Sequence, residues 1–106
     1  MANQYNVALC AGRHEIKTNG GVSVPNAIYE HIQNPMDFDF LEGRASDFIY
    51  HLEDNNVEIL NLYITGLTPA LTSFLALASN WEGKITLWHF DRDSFTYMPQ
   101  YFQNWM

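Results

Sequence analysis

The chain has 106 residues, which is enough for one domain and leaves no room for a second core. Hydrophobic side chains make up 47% of it and charged side chains 16%, a composition that excludes a disordered chain. Twelve acidic against five basic side chains give a formal charge of −7. Because five cations cannot neutralise many phosphates, we expect neither a long nucleic acid nor an anionic membrane surface as a partner.

Cysteine content and hydropathy indicate the compartment. The single cysteine, Cys10, excludes an internal disulfide and a cysteine-rich zinc site. No apolar run approaches the ~20 residues of a membrane span, and the first residues lack the charged and apolar regions of a signal peptide. We therefore expect a soluble, reduced, cytoplasmic protein that uses no cofactor.

The first predicted element is a strand from Tyr5 to Cys10, whose apolar run VALC stops at the turn signal Ala11-Gly12. Residues 13–38 then form the long irregular stretch of the domain, and such stretches are often functional. Within it, Gly20-Gly21 predicts a turn and Asn26 predicts the start of a short helix.

A helix is predicted near Phe40 to Leu52, because its apolar residues recur at helical spacing on one face. Asp39 and Glu42 have the spacing of a capping box at its start. The next run, Glu58 to Ile64, is almost continuously apolar. Such a strand is typical of a parallel sheet that is buried on both faces, so we expect helices on each side of it.

A second helix is predicted over Ala70 to Asn80, with Thr68 as its N-cap and Pro69 as its first residue. Lys84 to Phe90 predicts another strand, and Phe95 to Met98 can pair back on it as a hairpin.

Pro99 either ends that pairing or marks an edge strand. Residues 101–106 are unusually aromatic, so we expect this tail to dock, for example on a second subunit.

The alternation of strands and helices predicts the fold class. We expect one α/β domain over residues 1–106, a small three-layer Rossmann-like domain. Its sheet is mainly parallel and carries an antiparallel C-terminal hairpin.

Ligands of an open parallel sheet bind beyond the carboxyl ends of its strands. Two such ends are visible in the sequence: residues 11–15 follow the first strand, and residues 65–69 open the second helix, whose N-terminus favours an anion. Arg13, His14 and Lys17 add donors, so the combination predicts a pocket for a phosphorylated small molecule. The candidate ligand-binding residues are Ala11, Gly12, Arg13, His14, Lys17, Thr65, Gly66, Leu67, Thr68, His89 and Arg92.

Each of these residues also has a purely structural interpretation. The role of Thr68 can be limited to starting the second helix. Arg13 can form a weak surface ion pair with Glu15. His14 can be a hydrogen-bonded structural histidine, although its ordinary pKa permits acid–base work. Cys10 is more typical of a small buried residue than of a nucleophile.

His89 and Arg92 belong to the run HFDRD, residues 89–93, at the end of the third long strand. This run lies at the ligand edge if that strand is parallel to the others, but its composition favours a polar hairpin turn. His31 and His51 are far apart in the sequence. Since no carboxylate–histidine spacing resembles a metal site, we expect no bound metal.

Three segments carry a resemblance to known families. Residues 62–71, LYITGLTPAL, resemble the strand–turn–helix segment of CRISPR-associated Rossmann-fold sensor domains and of small ring nucleases. The sensor domains' Thr-Gly-Gly-Thr is TGLT here, at residues 65–68. Residues 10–14, CAGRH, are similar to the opening of one group of ring nucleases. AGRHE at residues 11–15 and the ending Thr96 to Gln100 are similar to small phage proteins. The resemblance implies a nucleotide-type ligand, such as a cyclic oligonucleotide bound over a dimer interface.

Three functional hypotheses follow from these observations. The first is a homo-oligomeric binder that sequesters a cyclic or ADP-ribose-type signalling nucleotide, as a viral counter-defence protein in the host-cell cytoplasm. The second is a metal-independent ring nuclease, in which Arg13 stabilises charge and His14 moves a proton. The third is an acidic protein that inhibits a host defence protein by direct binding through electrostatic complementarity.

Overall fold

The computed structural model of the chain describes residues 3–12 and 15–105, which contain five strands and two helices. The sheet order is β2-β1-β3-β4-β5; β4 and β5 pair antiparallel, and the other neighbours pair parallel. This confirms the α/β class, the mainly parallel sheet and the C-terminal hairpin. The elements are β1 Gln4–Cys10, β2 Ala27–Tyr29, α1 Phe38–Asp54, β3 Ile59–Tyr63, α2 Thr68–Ala78, β4 Lys84–Asp91 and β5 Thr96–Gln103.

Both helices cover the same face of the sheet. Val7 of β1 lies opposite Leu62 of β3, which in turn lies opposite Leu87 of β4, and these buried side chains form an apolar stripe in the core. The connections through α1 and α2 step in the same direction across the sheet, and right-handed crossovers then place both helices on one side. Since α1 packs against α2, the expectation of helices on each side of β3 is wrong.

The loop after β1 reaches the edge strand β5. Residues 16–24 fold back on themselves through a bridge between Lys17 and Ser23. The side-chain amide of Asn19 then bonds the backbone of Tyr97: its Nδ2 donates to the carbonyl over 2.9 Å, and its Oδ1 accepts from the N–H over 2.8 Å. This loop is therefore tied to β5, on the far side of the sheet from β2.

The helix starts differ slightly from the predicted ones. The carboxylate of Asp37 accepts a hydrogen bond from the Phe40 N–H over 3.2 Å, so Asp37 is the N-cap of α1 and the capping box of Asp39 is wrong. Thr68 is the first residue of α2 and not its N-cap. The cap is Leu67, because its extended backbone presents a carbonyl that already accepts from the Leu71 N–H.

The stretch after β1 contains a strand that the sequence analysis missed. Gly21 has a φ of +85° and its N–H donates to the Thr18 carbonyl, which confirms the turn at Gly20-Gly21. The short helix predicted from Asn26 is wrong, because the following residues form β2 instead. The outer edge of β1 offers unpaired backbone groups, and β2 satisfies them.

The C-terminal strand β5 is longer than predicted and forms the edge of the sheet, so Pro99 does mark an edge strand. The aromatic tail docks on the chain's own sheet. The indole N–H of Trp105 donates to the Ile85 carbonyl over 3.0 Å, and its ring contacts Tyr101. No helix within the described residues is long and apolar enough to cross a membrane.

Candidate functional site

The segments after β1 and β3 lie side by side at the carboxyl edge of the sheet, because the two strands are parallel neighbours. The hydroxyl of Thr65 links them. It accepts a hydrogen bond from the Cys10 N–H over 3.1 Å and donates to the Cys10 carbonyl over 2.6 Å. Thr65 therefore prolongs the β1–β3 pairing by one side chain, and its hydroxyl is occupied by the backbone.

The turn at Gly66 requires glycine for two reasons. Its φ of +81° lies in the left-handed region, which L side chains adopt only with strain. A Cβ at this position would also lie 2.8 Å from both Cβ and Sγ of Cys10. The two loops can therefore approach each other closely at this edge because Gly66 has no side chain.

The thiol of Cys10 is buried between these loops. Burial raises the pKa of the Cys10 thiol above its usual value, and a hydrogen bond from the Leu67 backbone lowers it by less. The thiol is therefore protonated at neutral pH, which confirms the interpretation of Cys10 as a small buried residue, since the thiolate is the nucleophilic form.

Helix α2 begins at the same edge. Leu67 and Thr68 are exposed. Leu67 is the N-cap residue, and its side chain makes no hydrogen bond to the N–H groups of the first turn. The first N–H groups of a helix have no partner within it and carry the positive end of its dipole. Pro69 contributes no N–H, so the exposed first turn offers a small number of donors to an anion.

Two of the candidate cations stand near the carboxyl edge. Lys17 is exposed on the loop after β1, and its Nζ lies 4.0 Å from the carboxylate of Glu15. An exposed ion pair of this length contributes little to folding, so the Lys17 ammonium is available to a ligand. Arg92 is exposed in the turn after β4.

The other described cations have structural contacts. Arg44 donates to the carbonyl of Ile28 from Nε over 3.2 Å and from Nη2 over 2.6 Å. Lys84 lies at the opposite edge of the sheet, with its Nζ 4.8 Å from the centre of the Trp105 ring. Neither belongs to the candidate site.

The structure brings most of the predicted site residues to one edge. Ala11 and Gly12 are exposed at the end of β1, beside residues 65–68. Arg13 and His14 lie outside the described residues. His89 lies within β4 and not in the loops of this group. Its Nε2 is 2.8 Å from Oε1 of Gln100 on the neighbouring strand β5.

Several cavities lie near this edge. One, of about 390 Å³, has Ala11 and Gly12 in its lining. Another, of about 520 Å³, lies at the start of α1 and is lined by residues between His31 and Phe40.

A further cavity, of about 310 Å³, lies between the loop that carries Lys17 and the β4–β5 turn, where Phe90 and Phe95 line it. Neither phenylalanine was predicted from the sequence as a site residue, because the cavity forms only where two loops that are distant in sequence meet.

A cavity of about 680 Å³ lies at the amino edge, away from these residues. Its lining includes Glu53, Glu58 and Glu82 together with Lys84. Three carboxylates beside one ammonium make this cavity unsuitable for a phosphorylated ligand. Within residues 3–12 and 15–105, no three His, Cys, Asp or Glu side chains group together as metal ligands.

The fold is shared with a receptor of solved structure. No protein-family model and no curated protein matches the chain. Two solved structures of the Cap4 SAVED/CARF-domain containing receptor from Acinetobacter baumannii do match, one with the cyclic trinucleotide 2′3′3′-cAAA and one with 3′3′3′-cAAA. Their TM-scores are 0.59 and 0.60 at 19% identity, over 94% and 92% of this chain.

The chain spans 24% of the length of these receptor chains. At this level of identity the likeness shows the fold alone. This chain therefore shares the α/β fold of part of these receptors, and its candidate site lies at the carboxyl edge of the sheet.

Proposed function

We propose that this chain binds a cyclic oligonucleotide or a closely related nucleotide signal at the carboxyl edge of its sheet. The observation that carries the proposal is the fold shared, over nearly the whole chain, with receptors that were solved with cyclic trinucleotides. The position of the site follows from the general behaviour of parallel sheets, whose ligands bind beyond the carboxyl ends of the strands.

The phosphates of the ligand lie at the first turn of α2 in this proposal. Leu67 and Thr68 are exposed there, and so are Ala11 and Gly12 at the end of the neighbouring strand β1. Thr65 and Gly66 hold the two loops together. Lys17 and Arg92 add positive charge from the neighbouring loops, and we assign the remaining phosphate contacts to Arg13 and His14.

Binding without cleavage is the simpler form of this function. The Thr65 hydroxyl is engaged with the Cys10 backbone, and the Cys10 thiol is protonated at neutral pH, so neither supplies a nucleophile. The ring-nuclease alternative therefore depends on Arg13 and His14. We propose that the chain retains its ligand intact and so withdraws it from other receptors.

The biological role follows from this sequestration. A protein that holds a signalling nucleotide lowers the concentration available to the receptors of a defence system, which suits a viral counter-defence protein in the cytoplasm of its host. We also propose that the chain acts as a homo-oligomer, since exposed rings on β5, at Tyr101 and Phe102, are available for contact.

Native mass spectrometry tests the proposal directly. The purified chain is mixed with a panel of cyclic di- and oligonucleotides and ADP-ribose derivatives, and spectra are recorded before and after incubation. A retained ligand that has unchanged mass and, once released, co-elutes with the intact cyclic standard on liquid chromatography supports a binder and gives the number of chains per ligand. A linear product supports the nuclease alternative, either as an isomer of the same mass that ends in a 2′,3′-cyclic phosphate or as a species heavier by one water. If no complex forms with any member of the panel, the proposed function is wrong.

The variant Gly66→Val should lose the ligand, because it separates the two loops. Gly43→Ala is the matched control, since a Cβ at Gly43 meets no atom within 4 Å and the residue lies on the exposed side of α1. Binding by the control, together with loss in a Gly66→Val protein whose circular dichroism matches that of the wild type, supports a ligand at the carboxyl edge. Equal binding by both variants, with both folded, would contradict that position.

A further inference from the structure

Phe95 ends the β4–β5 turn in a backbone conformation that does not suit phenylalanine. Its φ is +54°, in the left-handed region where glycine and asparagine are the usual residues of hairpin loops. Its side chain is also 79% exposed. Because both features oppose folding, the stability of the hairpin does not explain the ring at this position.

The ring of Phe95 forms one wall of the 310 Å³ cavity described above. Its centre lies 6.3 Å from that of Phe90, with 69° between the ring planes, and Phe90 is 48% exposed. The Phe90 ring in turn contacts Tyr97 at 5.3 Å. These contacts hold Phe90 in place, so the two phenylalanines present a fixed apolar surface to the cavity.

The opposite wall is the loop of residues 15–19. The paired hydrogen bonds between Asn19 and the Tyr97 backbone fix the distance between the two walls. Lys17 lines the cavity, and its weak ion pair with the exposed Glu15 leaves the ammonium available. The volume of about 310 Å³ is at the lower end of the range of ligand pockets, roughly 300–1,000 Å³, so it suits one small group and not a whole cyclic oligonucleotide.

We propose that this cavity is a nucleobase subsite, in which the base stacks on the exposed ring of Phe95, Phe90 contacts the edge of the base, and Lys17 faces the adjoining phosphate. Bases stack on aromatic side chains whatever their sequence, because each base has a π face. The turn that carries Phe95 follows β4, the neighbour of β3, so the subsite lies at the same edge as α2. The inference rests on the proposed function, and it assigns one base of the signal to a defined pair of rings.

NMR titrations with two probes separate the base from the rest of the nucleotide. The probes are AMP and ribose 5-phosphate, which share the sugar and the phosphate and differ in the base. We expect the wild type to bind AMP roughly 5- to 150-fold more tightly, the range that stacking on one aromatic side chain supplies. Phe95→Ala should lose this preference, and Phe95→Tyr should keep it.

Two further variants control for folding and for general loss of a ring. Phe38→Ala removes an exposed phenylalanine at the start of α1 that does not line the cavity, and it should keep the preference for AMP. Phe95→Gly suits the left-handed backbone, so it should melt no lower than the wild type and still lose the preference. Loss of binding in a variant that is at least as stable excludes a folding defect.

The outcomes distinguish the subsite from the proposed function. If Phe95→Ala keeps the wild-type preference for AMP, or if the wild type binds both probes equally or not at all while it retains a nucleotide of the mass-spectrometry panel, the subsite is wrong and the proposed function stands. If the wild type retains no nucleotide of that panel, the proposed function fails and the subsite fails with it.

Discussion

The loop after β3 and the turn after β4 leave the same edge of the sheet, but their residues have different explanations. At Gly66 the positive φ and the contact with Cys10 both require the residue that is present. At Phe95 the φ is also positive, yet the residue is large, apolar and exposed. One loop is therefore optimised for packing, and the other keeps a ring that costs stability, which is the signature expected of a binding residue.

The largest predicted effect tests the packed loop. Gly66→Val introduces a branched side chain at a left-handed φ and drives its Cβ into Cys10, so we expect a loss of about 2–4 kcal/mol in the free energy of unfolding. Urea denaturation measures it. Gly43→Ala should instead gain up to about 1 kcal/mol, since glycine weakens a helix interior. A Gly66→Val protein as stable as the wild type would contradict the structural account of this loop.

The second prediction concerns the hydroxyl that joins the loops. Thr65→Val keeps the shape of the side chain but leaves the N–H and the carbonyl of Cys10 without their partner. We expect a loss of about 1–3 kcal/mol in the free energy of unfolding, the cost of an unpaired buried polar group. Thr72→Val is the control, because its hydroxyl bonds only carbonyls of its own exposed helix turn. Equal unfolding midpoints for the two variants would argue against the link between β1 and β3.

The turn after β4 should respond in the opposite direction. Phe95→Gly removes the strain of a side chain at positive φ, and we expect a gain of up to about 1 kcal/mol, measured by the same denaturation. A stabilised glycine variant at Phe95 beside a destabilised valine variant at Gly66 would establish the contrast between the two loops. A loss of stability on Phe95→Gly would show that the ring packs favourably and would remove the contrast.

The smallest predicted effect is a pH dependence. The raised pKa of the Cys10 thiol means that the folded chain holds this proton to a higher pH than the unfolded chain does. Its contribution to stability is therefore complete below the ordinary thiol pKa and is lost as the pH rises above it. Burial also raises the pKa of Tyr29 to about 12, which adds to the same alkaline loss.

Alkylation by iodoacetamide reports on the Cys10 thiol alone. At mildly alkaline pH the native chain should react much more slowly than the chain in urea, because less thiolate is present and the sulfur is buried. Equal rates in the two states would mean that the loops after β1 and β3 do not enclose the thiol.

The sequence alone predicted the strands and helices that have a recognisable local pattern of residues. The continuous apolar runs of β1 and β3 and the Pro69 start of α2 indicated an α/β sheet and placed a candidate site at its carboxyl edge. The strand β2 was missed, because three residues pair only to satisfy the free edge of β1. The side on which the helices lie depends on strand order, which no local pattern encodes.

The cavity lined by Phe90 and Phe95 was not predictable either, because it also depends on contacts between distant residues. The bond between Asn19 and Tyr97 joins residues 78 positions apart, and neither residue has a local feature that indicates it. Phe95 follows a polar turn, and its positive φ becomes visible only in the folded hairpin. Long-range contacts therefore define the cavity, while the residues of the packed loop, Thr65 and Gly66, could be selected from their motif.

The most direct test of the account is to map the ligand on the protein by NMR. Amide shifts of the ¹⁵N-labelled chain are followed while 3′3′3′-cAAA is added. If the ligand binds at the carboxyl edge, we expect shifts in the amides of residues 11–12, 65–71 and 90–97. The signals around Glu53, Glu58 and Glu82, at the amino edge, should stay unchanged. Shifts confined to the amino-edge cavity, or no shifts anywhere, would contradict the central claim that this sheet binds a nucleotide signal beyond the carboxyl ends of its strands.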